Sequence, residues 1–148
     1  MAKLDNPALI KLAAKLPTIG TLAITNQHLV YLDIVDDYIH QLFPLLENKN
    51  NLIVKPDYFN KYLIGAHISV IYPEENKLIN PIELGKQHKF KIKNLITMEI
   101  NSKVYYALRV ESHSLLELRR KYKLPDKLNF RGIRVEFHIT IGTLSHTS

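Results

Sequence analysis

No cysteine occurs in the sequence, which excludes disulfides, thiolate-ligated metals and a cysteine nucleophile together. Its absence agrees with a reducing compartment, and a cytoplasmic location is expected. The opening stretch Met1-Ala2-Lys3-Leu4-Asp5-Asn6-Pro7 lacks the apolar segment of a secretory signal. No apolar run approaches the thickness of a bilayer, so no membrane partner is expected. There is no strict repeat of solenoid period. What is present is a chain of 148 residues with 46% hydrophobic content. That is enough to bury a core without metal or disulfide staples, and a monomer is expected.

The net charge of +6 is unevenly spread. Residues 1–60 hold 5 Lys/Arg against 6 Asp/Glu, whereas residues 86–134 hold 13 against 4. Such asymmetry points to a polyanionic ligand approaching one part of the protein, although a solvated face would have the same composition.

Residues 8–16 read as a short amphipathic helix between Pro7 and Pro17, packed on the body of the protein. Strands are expected at 21–24 and 28–33. A helix capped by Asp36 or Asp37 follows over 37–47, with Ile39, Leu42, Phe43, Leu45 and Leu46 at helical spacing. Residues 62–71 form a β-rich run closed by Pro73. Residues 88–100 and 103–110 then flank a hairpin turn at Asn101-Ser102. A helix begins at Ser112 or Ser114 and reaches about Tyr122, and the last strand covers 133–142. Strands and helices in this order predict an α+β domain with mainly antiparallel sheets.

Two short patterns carry the chemistry: His67-Ile68-Ser69 and His138-Ile139-Thr140. Side chains alternate along a strand, so each His shares a face with its hydroxyl while Ile68 and Ile139 point to the core. A third match, His146-Thr147-Ser148, sits at the tail with no strand around it and is discounted. Phosphodiester cleavage needs a base to take a proton from water or a ribose hydroxyl, and an acid to protonate the leaving oxygen. Two imidazoles do both near neutral pH. Ser69 and Thr140 are then the phosphate-binding hydroxyls, donating to the non-bridging oxygens as charge builds. Which His is the base is not legible, and the roles exchange between making and opening a 2′,3′-cyclic phosphate.

The paired motifs resemble the signature of the two-histidine (2H) phosphoesterases. That family includes RNA ligase-like proteins, cyclic nucleotide phosphodiesterases and enzymes cleaving 2′,5′-linked oligoadenylates. The resemblance covers about residues 28–144, which marks 1–27 as an N-terminal extension and 28–148 as the phosphoesterase-like domain. It implies a bilobal fold of two mainly antiparallel sheets with flanking helices, the four motif side chains converging in a central cleft. Position 69 holds Ser where the family more often has Thr, which preserves the hydroxyl. The connector 73–87 is short and contains Pro73 and Pro81, and little follows Gly142, so the resemblance implies a minimal member.

The expected activity is hydrolysis of an RNA-related phosphodiester, either a 2′,3′-cyclic phosphate or a 2′,5′-linked or cyclic oligonucleotide. RNA, an oligonucleotide or a nucleotide is the expected partner, with no cofactor. The alternatives are a catalytically idle RNA- or nucleotide-binding module and an RNA ligase-type activity in the same cleft. A zinc site would want a third His or a carboxylate at suggestive spacing, which the sequence does not offer. Three further residues are candidates for substrate binding. Tyr72, just past the first motif, is placed to stack on a base or to pack on the connector. Arg131 and Arg134 immediately precede the second motif and are expected to reach substrate phosphates, and Arg134 alternates in phase with His138 and Thr140 and so should share their face.

Overall fold

The computed structural model describes residues 1–58, 63–75, 79 and 81–145. Tyr62, at the head of the β-rich run, and the tail triplet His146-Thr147-Ser148 lie outside the described residues. In chain order the elements are β1 (Ala2–Leu4), α1 (Pro7–Ala13), β2 (Ile19–Ile24), β3 (Val30–Asp33) and α2 (Asp37–His40). After these come β4 (His67–Ile71), β5 (Gln87–Lys89), β6 (Lys91–Ile100), β7 (Lys103–Glu111) and α3 (His113–Lys121). The chain closes with β8 (Leu128–Phe130), β9 (Ile133–Val135) and β10 (His138–Ser145).

Local chemistry sets most of these boundaries. Asn6 accepts the Leu9 amide at 3.1 Å and Pro7 occupies the first turn, which together start α1. Ser112 starts α3 by accepting the Leu115 amide, and Arg119, Arg120 and Lys121 sit in its last turn, where cations complement the helix dipole. Asn101 and Ser102 both have positive φ (52° and 63°), as a tight hairpin turn with the twist of its strands requires.

Beyond shifts at element ends, such as β4 starting only at His67 and β3 at Val30, three expectations need correction. The helix over 37–47 is broken: α2 ends at His40, and only a 3-10 turn, Phe43–Leu45, follows. Pro44 is the cause, since it has no N–H to donate and its ring would meet the His40 carbonyl one turn back. The strand over 88–100 is two strands in different sheets, parted at Phe90, whose amide donates to Thr18 O. The strand over 133–142 is likewise two, parted at Glu136 and Phe137.

The fold is α+β with exclusively antiparallel pairing among the named strands. One four-stranded sheet runs β1-β6-β7-β10, a second runs β4-β3-β2-β5, and β8-β9 form a separate ribbon. Residues 1–27, read from sequence as an extension, supply the edge strand β1 to one sheet and the interior strand β2 to the other. A single apolar cluster joins the sheets. It includes Leu22, Leu32, Ile68 and Val70 from one and Leu95, Leu108, Ile139 and Ile141 from the other.

The two motif strands, β4 and β10, lie against each other, and each helix packs on the other half's motif strand: α2 on β10 and α3 on β4. Gly142 marks a register shift in β10. A Cβ there would come within 2.9 Å of Ile53 and 3.0 Å of Leu46, so only glycine lets the strand approach this wall.

Candidate active site

The alternation expected of the two motifs is present. On β4, Ile68 and Val70 are fully buried in the core, while His67 and Ser69 line a cavity of about 580 Å³. On β10, Ile139 and Ile141 are buried and His138 and Thr140 line that same cavity. Tyr72 lines it as well. Five of the seven candidate residues therefore meet at one place.

Both imidazoles are held by the same device. The His67 Nδ1 lies 2.9 Å from the carbonyl of Gly65, and the His138 Nδ1 lies 2.7 Å from the carbonyl of Glu136, in each case two residues back. A carbonyl only accepts, so Nδ1 carries the proton in both rings and Nε2 carries the lone pair. The backbone that does this on β4 is specialised. Gly65 has φ 71°, and a Cβ there would collide with the Asp36 carboxylate. That carboxylate does not cap α2 with its side chain; its Oδ1 accepts the Ala66 amide at 2.9 Å and fixes the entry to the motif. On the other side, Glu136 pairs with Arg109 (3.4 Å), and the Arg109 Nε donates to Asn94.

Burial pushes the His67 pKa down to about 4, against a smaller raising effect of the Gly65 carbonyl, and repulsion from His138 lowers it further. His138 is also lowered by burial, with the Glu136 carbonyl opposing. Both rings are thus neutral at pH 7 with the cavity free of ligand. Two tyrosines flank His67 edge-on, Tyr58 at 4.8 Å and Tyr31 at 5.9 Å between centroids. The phenols of Tyr58 and Tyr72 lie within hydrogen-bonding reach of Thr140 and Ser69 respectively, and burial raises the pKa of both phenols. Each motif hydroxyl therefore has a neutral tyrosine beside it.

Residues 30–147 match the family model of the Swiss Army Knife 2H phosphoesterase domain. The chain belongs to the 2H phosphoesterases. Membership makes it a protein of phosphodiesterase type, with the match spanning both motif strands and the elements between them. No curated protein and no solved structure matches the chain at a significant level.

The geometry of this 2H phosphoesterase departs from the sequence reading at the arginines. Arg134 lies on β9, in the ribbon rather than in β10, so its phase with His138 is lost across Glu136 and Phe137. Arg134 is exposed, and its neighbour Val135 lines the cavity instead. Arg131 is exposed in the β8–β9 turn with φ 51°, its guanidinium 5.2 Å from the Phe130 ring centroid.

Among the described residues lining the cavity there is no Lys, Arg, Asp or Glu. Much of the basic excess is spent elsewhere: Lys93, Arg109, Arg119, Arg120 and Lys121 are ion-paired with carboxylates. The walls are aromatic and aliphatic instead, with Tyr58, Tyr105, Phe130, Leu29, Met98 and Ile100 among them. Sequence reasoning missed these. Tyr58 belongs to no motif or periodic run of the sequence, and Tyr105 sits in the strand pattern of 103–110 with nothing to set it apart. Among the described residues, no group of three or more His, Asp or Glu able to hold a metal ion occurs.

Proposed function

We propose that the chain is a metal-independent phosphodiesterase hydrolysing an RNA-related phosphodiester, a 2′,3′-cyclic phosphate or a 2′,5′-linked or cyclic oligonucleotide. His67 and His138 act as general base and general acid. The observation that carries this reading is the matched anchoring of two imidazoles in one cavity. Each has Nδ1 tied to the carbonyl two residues back, which leaves Nε2 for proton transfer.

In the reaction, the neutral histidine takes a proton from water as the water oxygen bonds to phosphorus. The bond to the leaving oxygen breaks, and the imidazolium of the partner histidine donates its proton to that oxygen. The cycle ends with the protonation states exchanged and reset through solvent. Ser69 and Thr140 donate to the non-bridging oxygens, where negative charge grows. Aromatic walls suit a nucleobase, which stacks without regard to sequence. A cavity with no carboxylate among its described lining residues avoids repelling the phosphodiester anion, and its low polarity strengthens each hydrogen bond to it.

Wild-type protein in EDTA is expected to turn over 2′,3′-cyclic nucleotides or 2′,5′-linked oligoadenylate, with product ends read by chromatography. Binding without turnover across that panel would instead identify an idle binding module, and loss of turnover in chelator a metal-dependent site.

The pH profile is a second test. Productive enzyme needs one protonated and one neutral imidazole, yet burial holds both pKa values below the usual 6.5. In the free enzyme, raising the pH through that lowered range removes the acid. kcat/KM should therefore peak on the acid side of neutrality and fall as pH rises. A bound phosphodiester anion favours the imidazolium, so the falling limb of kcat should lie at higher pH than that of kcat/KM. A kcat/KM that climbs steadily through neutrality would overturn the assignment of the acid.

A further inference from the structure

Two hairpin ends meet at one side of the cavity. Phe130 closes β8 just before the tight turn at Arg131 and Gly132, and Tyr105 lies near the start of β7, just after the turn at Asn101 and Ser102. Their rings touch edge to face, 6.2 Å apart at 82°, and Phe130 also contacts Tyr72 at 5.0 Å. All three line the cavity. Each of the two hairpins then sets a cation on its own aromatic residue. The Arg131 guanidinium lies 5.2 Å from the Phe130 centroid and the Lys103 ammonium 5.5 Å from the Tyr105 centroid. Among the described residues neither cation is ion-paired with a carboxylate, unlike five of the other basic residues in this half of the chain.

Resting on a ring face fixes a cation in place while leaving its N–H donors directed outward. Less rotamer freedom is then lost when an anion arrives. Among the described residues, the cavity wall between these cations and the two histidines is neutral and largely aromatic, and the two cations stand at its edge.

We infer that Lys103 and Arg131 form a rim subsite for the phosphate adjoining the scissile one, so that the preferred substrate is a short single-stranded oligonucleotide rather than a mononucleotide. This rests on the reading of the cavity as a phosphodiester site and adds a length requirement to it. The scissile phosphate and its base occupy the neutral chamber, and the next phosphate lies over the Phe130–Tyr105 edge between the two cations.

The test compares a mononucleotide 2′,3′-cyclic phosphate with a dinucleotide that ends in the same cyclic phosphate and carries one further phosphodiester. The variant is Lys103→Gln with Arg131→Asn, because asparagine tolerates the positive φ of the turn. Wild type should prefer the dinucleotide roughly tenfold in kcat/KM, the scale of a charged hydrogen bond. The double variant should lose that preference. The salt dependence of dinucleotide binding should also become shallower by about 0.7–1 in log–log slope. Lys11→Ala with Lys15→Ala, two exposed lysines of the α1 region, removes equal charge elsewhere and should leave the preference intact.

An unchanged preference in the rim variant, or an equal loss in the α1 control, overturns the subsite. If wild type turns over neither compound, the proposed reaction has failed. Titration of unreactive 2′-deoxy mono- and dinucleotides then still decides the subsite by the same ratio.

Discussion

Replacing either His67 or His138 by asparagine should lower kcat by about 10²–10⁴-fold while leaving the thermal unfolding midpoint nearly unchanged. Asparagine is the informative choice because of how the rings are held. Its side-chain amide can occupy the position of Nδ1 and still donate to Gly65 O or Glu136 O. What disappears is Nε2, the atom assigned the proton transfer. Alanine would remove the anchor as well and confuse a chemical loss with a loosened strand. If both histidines serve one transition state, as proposed, the double variant should be about as slow as the worse single variant, not slower by the product. Substrate KM should change little in either, since the hydroxyls of Ser69 and Thr140 and the aromatic walls remain. Steady-state rates with each single and the double variant would check this. Two asparagine variants that each kept near-wild-type kcat would sink the assignment.

The candidate site was legible in sequence where it depends on strand periodicity and illegible where it depends on tertiary convergence. His67, Ser69, His138 and Thr140 could be found because alternation puts each pair on one face whatever the sheet does around it. Tyr72 followed from its position one residue past β4. The arginines show the limit of that reasoning. Arg134 was in phase with His138 only if the strand ran unbroken, and it is parted at Glu136 and Phe137, with Arg134 paired to Asn129 in the separate ribbon. Nothing in the pattern of residues 133–142 announces that break. Phe90 posed the same problem, since one alternating run served two sheets. Pro44 was different: the proline was visible, and a helix assigned across it contradicted a local rule that the structure enforces. The aromatic walls come from segments far apart in sequence, so no window of residues contains them together. The fold class survived these errors because it depends on the number and kind of elements rather than their ends.

Arg119 is the residue whose importance sequence hid most completely, and its loss should be the most damaging to stability. It falls at helical spacing with Leu115 and Leu118, yet nothing in the sequence announces that an arginine there is fully buried. Its guanidinium makes a bidentate pair with Glu75, at 2.7 and 3.0 Å, and also donates to the carbonyls of Val70, Pro125 and Lys127. Glu75 in turn accepts the amides of Tyr72 and Asn129. One ion pair thus ties the end of the first motif strand to α3, to the loop after it and to the ribbon that carries Phe130. Arg119→Met would leave a buried carboxylate with only backbone donors, at an expected cost of about 3–5 kcal/mol. For a domain of this size that corresponds to a fall of roughly 10–15 °C in the unfolding midpoint. Arg119→Lys should recover little, because an ammonium cannot reproduce the planar fork that reaches Glu75 and three carbonyls together. Adding Glu75→Gln to Arg119→Met removes the uncompensated charge while keeping an oxygen for the Tyr72 or Asn129 amide. The double variant should therefore be more stable than Arg119→Met alone. Denaturant unfolding of the four proteins gives the coupling directly. If the double variant were less stable than both singles, the cost would lie in lost packing rather than in an unpaired charge. The pair would then matter to this fold as volume, not as the electrostatic joint between its two halves.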